Sequence, residues 1–307
     1  MKINRHYLLW AALGVTYAAL AILIPPDANA LLKYNLSETQ ARLITLTWIL
    51  PYIGVWFAAF YGYIRCKAYA ALIAKSADGQ ALSLVGDGLM WLAISLPVTA
   101  ILSSILTYMA RRMPSWQAPT TVVSNYVTLL FLIAGFLIIY KGTSSLTKIV
   151  KKKPQSGWER LATVAFIVFS ISYIYLTLSN PARQFATADS GGRAAYYLPD
   201  FLLVTTIIMP YLLVWYWGFR SAYQLHLYQK NVRGVVYKSS LKLFAEGIAA
   251  VILSLMSIRV LVSVTTLLST LTLKLILVLL YALLLMISVG YILIALGAKK
   301  LQKIEEV

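Results

Sequence analysis

The chain has one cysteine, Cys66, in 307 residues, so it holds no intrachain disulfide and no CxxC or multi-cysteine metal site. It has two histidines, His6 and His226, far apart in sequence, which argues against paired-histidine haem or metal ligation. Acidic residues number ten against 27 basic ones, and no acidic pair falls at metal-ligand spacing. No HExxH and no GxSxG occurs. A catalytic role and a resident cofactor are therefore not expected. Charge of either sign is scarce as well: 12% of residues, where a soluble domain carries about 25%.

What is abundant is apolar: 60% of the chain. This composition predicts an all-α integral membrane protein, whose length is divided into spans and not into globular cores. The net charge of +17 would suggest a nucleic-acid partner in a soluble protein. In a membrane chain, Lys and Arg instead collect in cytoplasmic loops, and no nucleic-acid partner is expected.

A span needs about 20 apolar residues to cross a ~30 Å hydrocarbon core. Eight segments qualify, at roughly 7–24, 41–64, 82–109, 121–140, 160–179, 198–219, 241–268 and 272–297. The first is read as an uncleaved span, because it ends in Pro25-Pro26. The "ANA" at Ala28–Ala30 is the one feature that favours a cleaved signal peptide. With eight spans, nineteen of the 27 basic residues fall on the side of the termini and seven on the other, while Arg259 falls inside a span. The inside-positive rule then places both termini in the cytoplasm and the chain in the plasma (cytoplasmic, inner) membrane. The stretches "RCKAYAALIAKSADGQ" and "RSAYQLHLYQKNVRG" read as continuations of spans two and six into the inner headgroup layer. Lys151-Lys152-Lys153-Pro154 reads as a linker. Its lysines suit an inside-positive loop first and anionic headgroups at the cytoplasmic face second.

One pattern organises the whole chain. "ILPYIGVWFAAF" (Ile49–Phe60) recurs as "IMPYLLVWYWGF" (Ile208–Phe219), 159 positions on. At the same offset Gly88 matches Gly247, and Ser95 matches Ser254. At 155, Gly135 matches Gly290 and Gly142 matches Gly297. The chain therefore reads as a tandem duplication: eight transmembrane helices built as two parallel four-helix repeats, 1–153 and 154–307. Each unit has an even number of spans, so both insert the same way up, related by a pseudo-twofold axis along the membrane normal.

Candidate functional residues follow from that symmetry. Pro51 and Pro210 lie near mid-membrane, where a proline removes a helix hydrogen bond and marks either a site or an inherited packing kink. Trp56 and Trp215 sit beside them and either line a cavity or pack. Asp87 and Glu246 are matched carboxylates, each followed by glycine. They read either as cation- or proton-handling groups at a shared inner vestibule, or as interfacial carboxylates that pair with nearby Lys or Arg or favour a helix N-terminus through its dipole. Arg259, matched by Ala100, reads either as an anion-binding residue or as one that snorkels to the outer interface. The leading expectation is a transporter or channel-like protein for a small solute or ion, with its site between the repeats. The alternative is a non-transporting membrane subunit, sensor or assembly partner. Membrane lipids, and an oligomer or other membrane subunits, are the expected partners.

Overall fold

The computed structural model describes residues 5–23, 37–113, 116–148, 157–179, 208–232, 234–267 and 273–302. Several sequence readings lie outside these residues: the Ala28–Ala30 motif, the Lys151–Lys153 linker with the 153/154 boundary, residues 198–207 of the sixth span, and both chain ends.

Among the described residues every regular element is a helix. The α-helices are α1 (Arg5–Leu23), α2 (Glu38–Leu72), α3 (Ala77–Arg112), α4 (Gln117–Lys148), α5 (Gly157–Ser179), α6 (Leu212–Asn231), α7 (Val235–Leu267) and α8 (Leu273–Gln302). A 3-10 turn, Met209–Tyr211, directly precedes α6. Each apolar segment carries a helix, the sixth from residue 208 onward.

Four of these helices are long and apolar enough to cross a bilayer, over Ala77–Leu106, Tyr126–Thr147, Val235–Ile258 and Val278–Leu301. Shorter apolar stretches, Ala11–Leu20 and Arg160–Tyr175, occupy α1 and α5. The apolar runs of α2 and α6 are interrupted by tyrosine, tryptophan and basic residues. At 35 residues, α2 extends about 52 Å, well beyond a ~30 Å core. Its basic end, Arg65–Leu72, continues the helix without a break, as does Arg220–Asn231 at the end of α6.

Local chemistry sets the starts of the helices. Ser37 and Gln40 form a reciprocal capping box at α2: the Ser37 amide donates to Gln40 Oε1 at 2.9 Å, and the Gln40 amide donates to Ser37 Oγ at 3.2 Å. Ser76 caps α3 by accepting from the Gly79 amide at 2.9 Å. The turn between α2 and α3 is tight enough that a Cβ at Gly79 would strike the Ile73 carbonyl.

The helices close a ring. α2 packs on α3, α3 on α4, α4 on α6, α6 on α7, α7 on α8, and α8 returns to α2. α1 lies against α2 and α3, while α5 lies against α4, α6 and the 3-10 turn. One apolar core runs through the ring, with Trp56, Phe136, Phe244 and Ile252 among its fully buried side chains. Two crossings are glycine-based and share one pattern. A Cβ at Gly88 would lie 2.6 Å from the Gly135 carbonyl and 2.5 Å from Ile139. A Cβ at Gly247 would lie 2.6 Å from the Gly290 carbonyl and 2.7 Å from Ile294. Only glycine permits helix backbones to approach this closely.

Candidate functional site

The two prolines occupy different local structures. Pro51 lies within the continuous α2, whereas Pro210 is buried in the 3-10 turn that opens α6. Proline has no amide hydrogen, so the missing bond is absorbed within one helix and at the first turn of the other. Pro97, not singled out from the sequence, also sits inside a helix, α3.

Their neighbours Trp56 and Trp215 both belong to the buried core. Trp56 stacks in an aromatic group with Tyr17 and Tyr52, at ring-centre distances of 5.4 and 5.3 Å. The indole Nε1 of each of these tryptophans is buried and meets no acceptor among the described residues, and Trp217 Nε1 is in the same state. A buried donor left unpaired costs about 1–3 kcal/mol.

Asp87 and Glu246 are each held by a lysine. Lys67 crosses from α2 to α3 and places Nζ 2.8 Å from Asp87 Oδ1 and 2.8 Å from Ser83 Oγ. Gly86 makes room for its stem: a Cβ there would lie 2.7 Å from Lys67 Cδ. Glu246 pairs with Lys242 one turn earlier on α7, at 3.6 Å. Both pairs are at least a third exposed, where an ion pair contributes about 0–1 kcal/mol. Among the described residues no ion pair or hydrogen bond joins Asp87 to Glu246. This is the lysine-paired arrangement that the sequence left open beside the shared vestibule. Arg259 lies within α7, and its side chain is outside the described atoms.

A different carboxylate links distant parts of the chain. Asp78, in the first turn of α3, accepts a hydrogen bond from Tyr228 Oη of α6 at 2.8 Å and a longer one from Tyr237 Oη of α7 at 3.4 Å. The two tyrosine rings meet edge to face, 6.4 Å apart. Burial, then the hydrogen bond to Asp78, pushes the Tyr228 phenol above its ordinary range, so it remains a donor at physiological pH. Tyr69 lies within electrostatic reach of the same pair. Sequence reasoning missed this cluster, although a signal was there. Tyr237 follows Asp78 by 159 positions, the main repeat offset, and Tyr228 follows Tyr69 by the same interval.

A further polar contact ties α4 to α6: Thr143 Oγ1 donates to Gln224 Oε1 at 2.7 Å, and Gln224 Nε2 donates to Ser144 Oγ at 2.9 Å. No group of three or more His, Cys, Asp or Glu side chains suited to a metal occurs among the described residues.

Compared with protein-family models, with curated proteins and with solved structures, the chain gives no match.

Proposed function

We propose that this chain is a polytopic membrane protein of eight spans, built from two parallel four-helix repeats, which moves a small solute or ion along the interface between them. The packing supports the repeat. Exchanging α2 with α6, α3 with α7 and α4 with α8 carries the helix ring onto itself. The Gly88–Gly135 and Gly247–Gly290 crossings exchange under the same operation. The excess of basic residues on the side of the termini orients that end toward the cytoplasm of a plasma membrane.

The observation that carries transport is the matched pair Trp56 and Trp215. Each presents a buried indole N–H that meets no acceptor among the described residues, a short way along the chain from a matched proline. Donors of this kind suit a solute with hydrogen-bond acceptors, recognised at the repeat interface. Asp78, gripped by Tyr228 and Tyr237 across that interface, closes its lysine-rich end.

The test is flux in reconstituted vesicles, measured for a panel of anions, cations and neutral polar solutes. W56F and W215F keep an aromatic side chain, smaller than indole, and remove the donor. Each is expected to lower flux of the accepted solute about fivefold, the value of one neutral hydrogen bond. If no solute moves, or if the double variant transports as well as wild type, the reading is wrong.

A second reading, a non-transporting subunit or assembly partner, is favoured by the lysine pairing of Asp87 and Glu246 and by the continuous apolar core of the ring. It predicts no solute flux from the isolated chain, together with a membrane protein that co-purifies in fixed stoichiometry.

A further inference from the structure

The ends of α7 and α8 form a groove unlike any feature named above. Its volume is about 610 Å³. Val235, Val236, Leu243 and Leu296 form its apolar walls. Lys299 and Lys300, from the last turn of α8, stand at its lip. Lys300 Nζ donates to Ser239 Oγ at 3.0 Å, which turns one ammonium toward the groove and leaves Lys299 beside it.

The height of the groove is set by two independent segments. The apolar run Val235–Ile258 begins at the groove, and the run Val278–Leu301 ends there. It therefore lies where a hydrocarbon core gives way to headgroups. The wall residues are open to their surroundings: Val235 is 83% exposed, Val236 48% and Leu296 45%. Leu243 and Leu296 lie on the membrane side of the two ammonium groups, with Val235 and Val236 flanking the headgroup level, and this order complements an acyl chain below a phosphate. Lysines near such a surface attract anionic lipid, each by a modest amount.

The groove is also not a general property of the repeat. Under the offsets of the proposed duplication, Lys299 and Lys300 correspond to Ser144 and Ser145, and Ser144 is engaged by Gln224. The cationic lip thus belongs to one half alone.

We infer that the groove between α7 and α8 binds one anionic phospholipid, its headgroup phosphate held by Lys299 and Lys300 and its acyl chain laid along Leu243 and Leu296. The inference rests on the chain being a membrane protein and is independent of transport.

The test is native mass spectrometry of the purified full chain in detergent, titrated with phosphatidylglycerol or with phosphatidylcholine of the same acyl chains. Wild type is expected to retain phosphatidylglycerol in preference to phosphatidylcholine. K299A/K300A is expected to weaken the phosphatidylglycerol adduct on the order of 30-fold and to leave the phosphatidylcholine adduct unchanged. Leu296→Trp fills the membrane side of the groove, keeps both lysines, and is expected to lose the adduct as well. Millimolar glycerol 3-phosphate should not compete; full competition would assign the lysines to a free phosphate and overturn the lipid. A dimer peak that disappears in K299A/K300A would assign the groove to a second copy and overturn it too. Unchanged phosphatidylglycerol binding in both variants would sink the site outright. A chain that stays dispersed without detergent would instead undo the membrane reading, before any lipid is added.

Discussion

Cys66 illustrates how burial and charge combine at one residue. It is 1% exposed, and its thiol donates to the Leu82 carbonyl at 3.4 Å. Burial pushes the thiol up to about 12; Lys67 opposes this and Asp87 adds to it. Alkylating reagents need the thiolate, which this burial disfavours. The native chain is therefore expected to resist a maleimide at pH 8 and to label fully once denatured. Rapid labelling of the native chain would contradict this placement of Cys66. The sign of the linked pH effect follows: the folded state holds this proton more tightly than the unfolded state, whose thiol titrates near 9. The stability this proton contributes is complete below pH 9 and is lost as pH rises toward 12. Tyr228 gives a second test at this scale. Y228F removes the shorter donor to Asp78 and leaves Tyr237 at 3.4 Å. It is expected to cost about 1 kcal/mol, at the low end for a bond to a partly exposed charge, seen as a small fall in Tm in detergent. An unchanged Tm would mean that Asp78 contributes nothing to holding α3 against α6.

Between helices, glycine decides how closely they pack. In an isolated helix, Gly→Ala stabilises by about 1 kcal/mol. At Gly88 and Gly247 the sign should reverse, because the new methyl would sit 2.6 Å from a backbone carbonyl of the facing helix, and a backbone cannot step aside as a side-chain tip can. G88A and G247A are each expected to destabilise by about 2 kcal/mol in thermal unfolding. Gly54 is the control: it lies inside α2, and a Cβ there meets nothing within 4 Å. G54A should be neutral or stabilising by up to about 1 kcal/mol. Equal effects at all three positions would mean that α3–α4 and α7–α8 do not cross at glycine. The repeat offsets matched Gly88 to Gly247 and Gly135 to Gly290, and the fold then brings Gly88 to Gly135 and Gly247 to Gly290; close crossings exclude every other residue type and so leave a mark on the sequence. The lysine that meets Asp87 left no such mark. Lys67 is one of three basic residues at that end of α2 and its turn, and only the rotation of α2 about its axis selects it.

For the whole molecule, the proposed orientation gives a labelling pattern. Cysteines introduced singly at Lys33 and Ser190 should react with an impermeant maleimide from outside intact cells, and one at Lys152 should react only after the membrane is opened. The buried Cys66 supplies little background to such a measurement. The reverse pattern would invert the topology, and equal reactivity at Lys33 and Lys152 would remove the even span count on which the parallel repeat depends. The same repeat predicts that an experimental structure superposes residues 1–150 on 160–307 by a rotation near 180°, with Trp56 on Trp215.

Period and composition determined where the helices lie, and spacing determined which glycines are matched between the halves, since these are properties of the chain itself; that Gly88 meets Gly135 and Gly247 meets Gly290 came from the tertiary structure. The tertiary structure alone decided the carboxylates. The sequence put Asp87 and Glu246 forward as a pair because they are matched in position; the fold gives each its own lysine and brings Asp78 to Tyr228, 150 positions away. Such a contact depends on which way each helix is turned once six of them close a ring. That rotation is set by the summed packing of apolar side chains around the ring, and no local pattern in so uniformly apolar a chain encodes it.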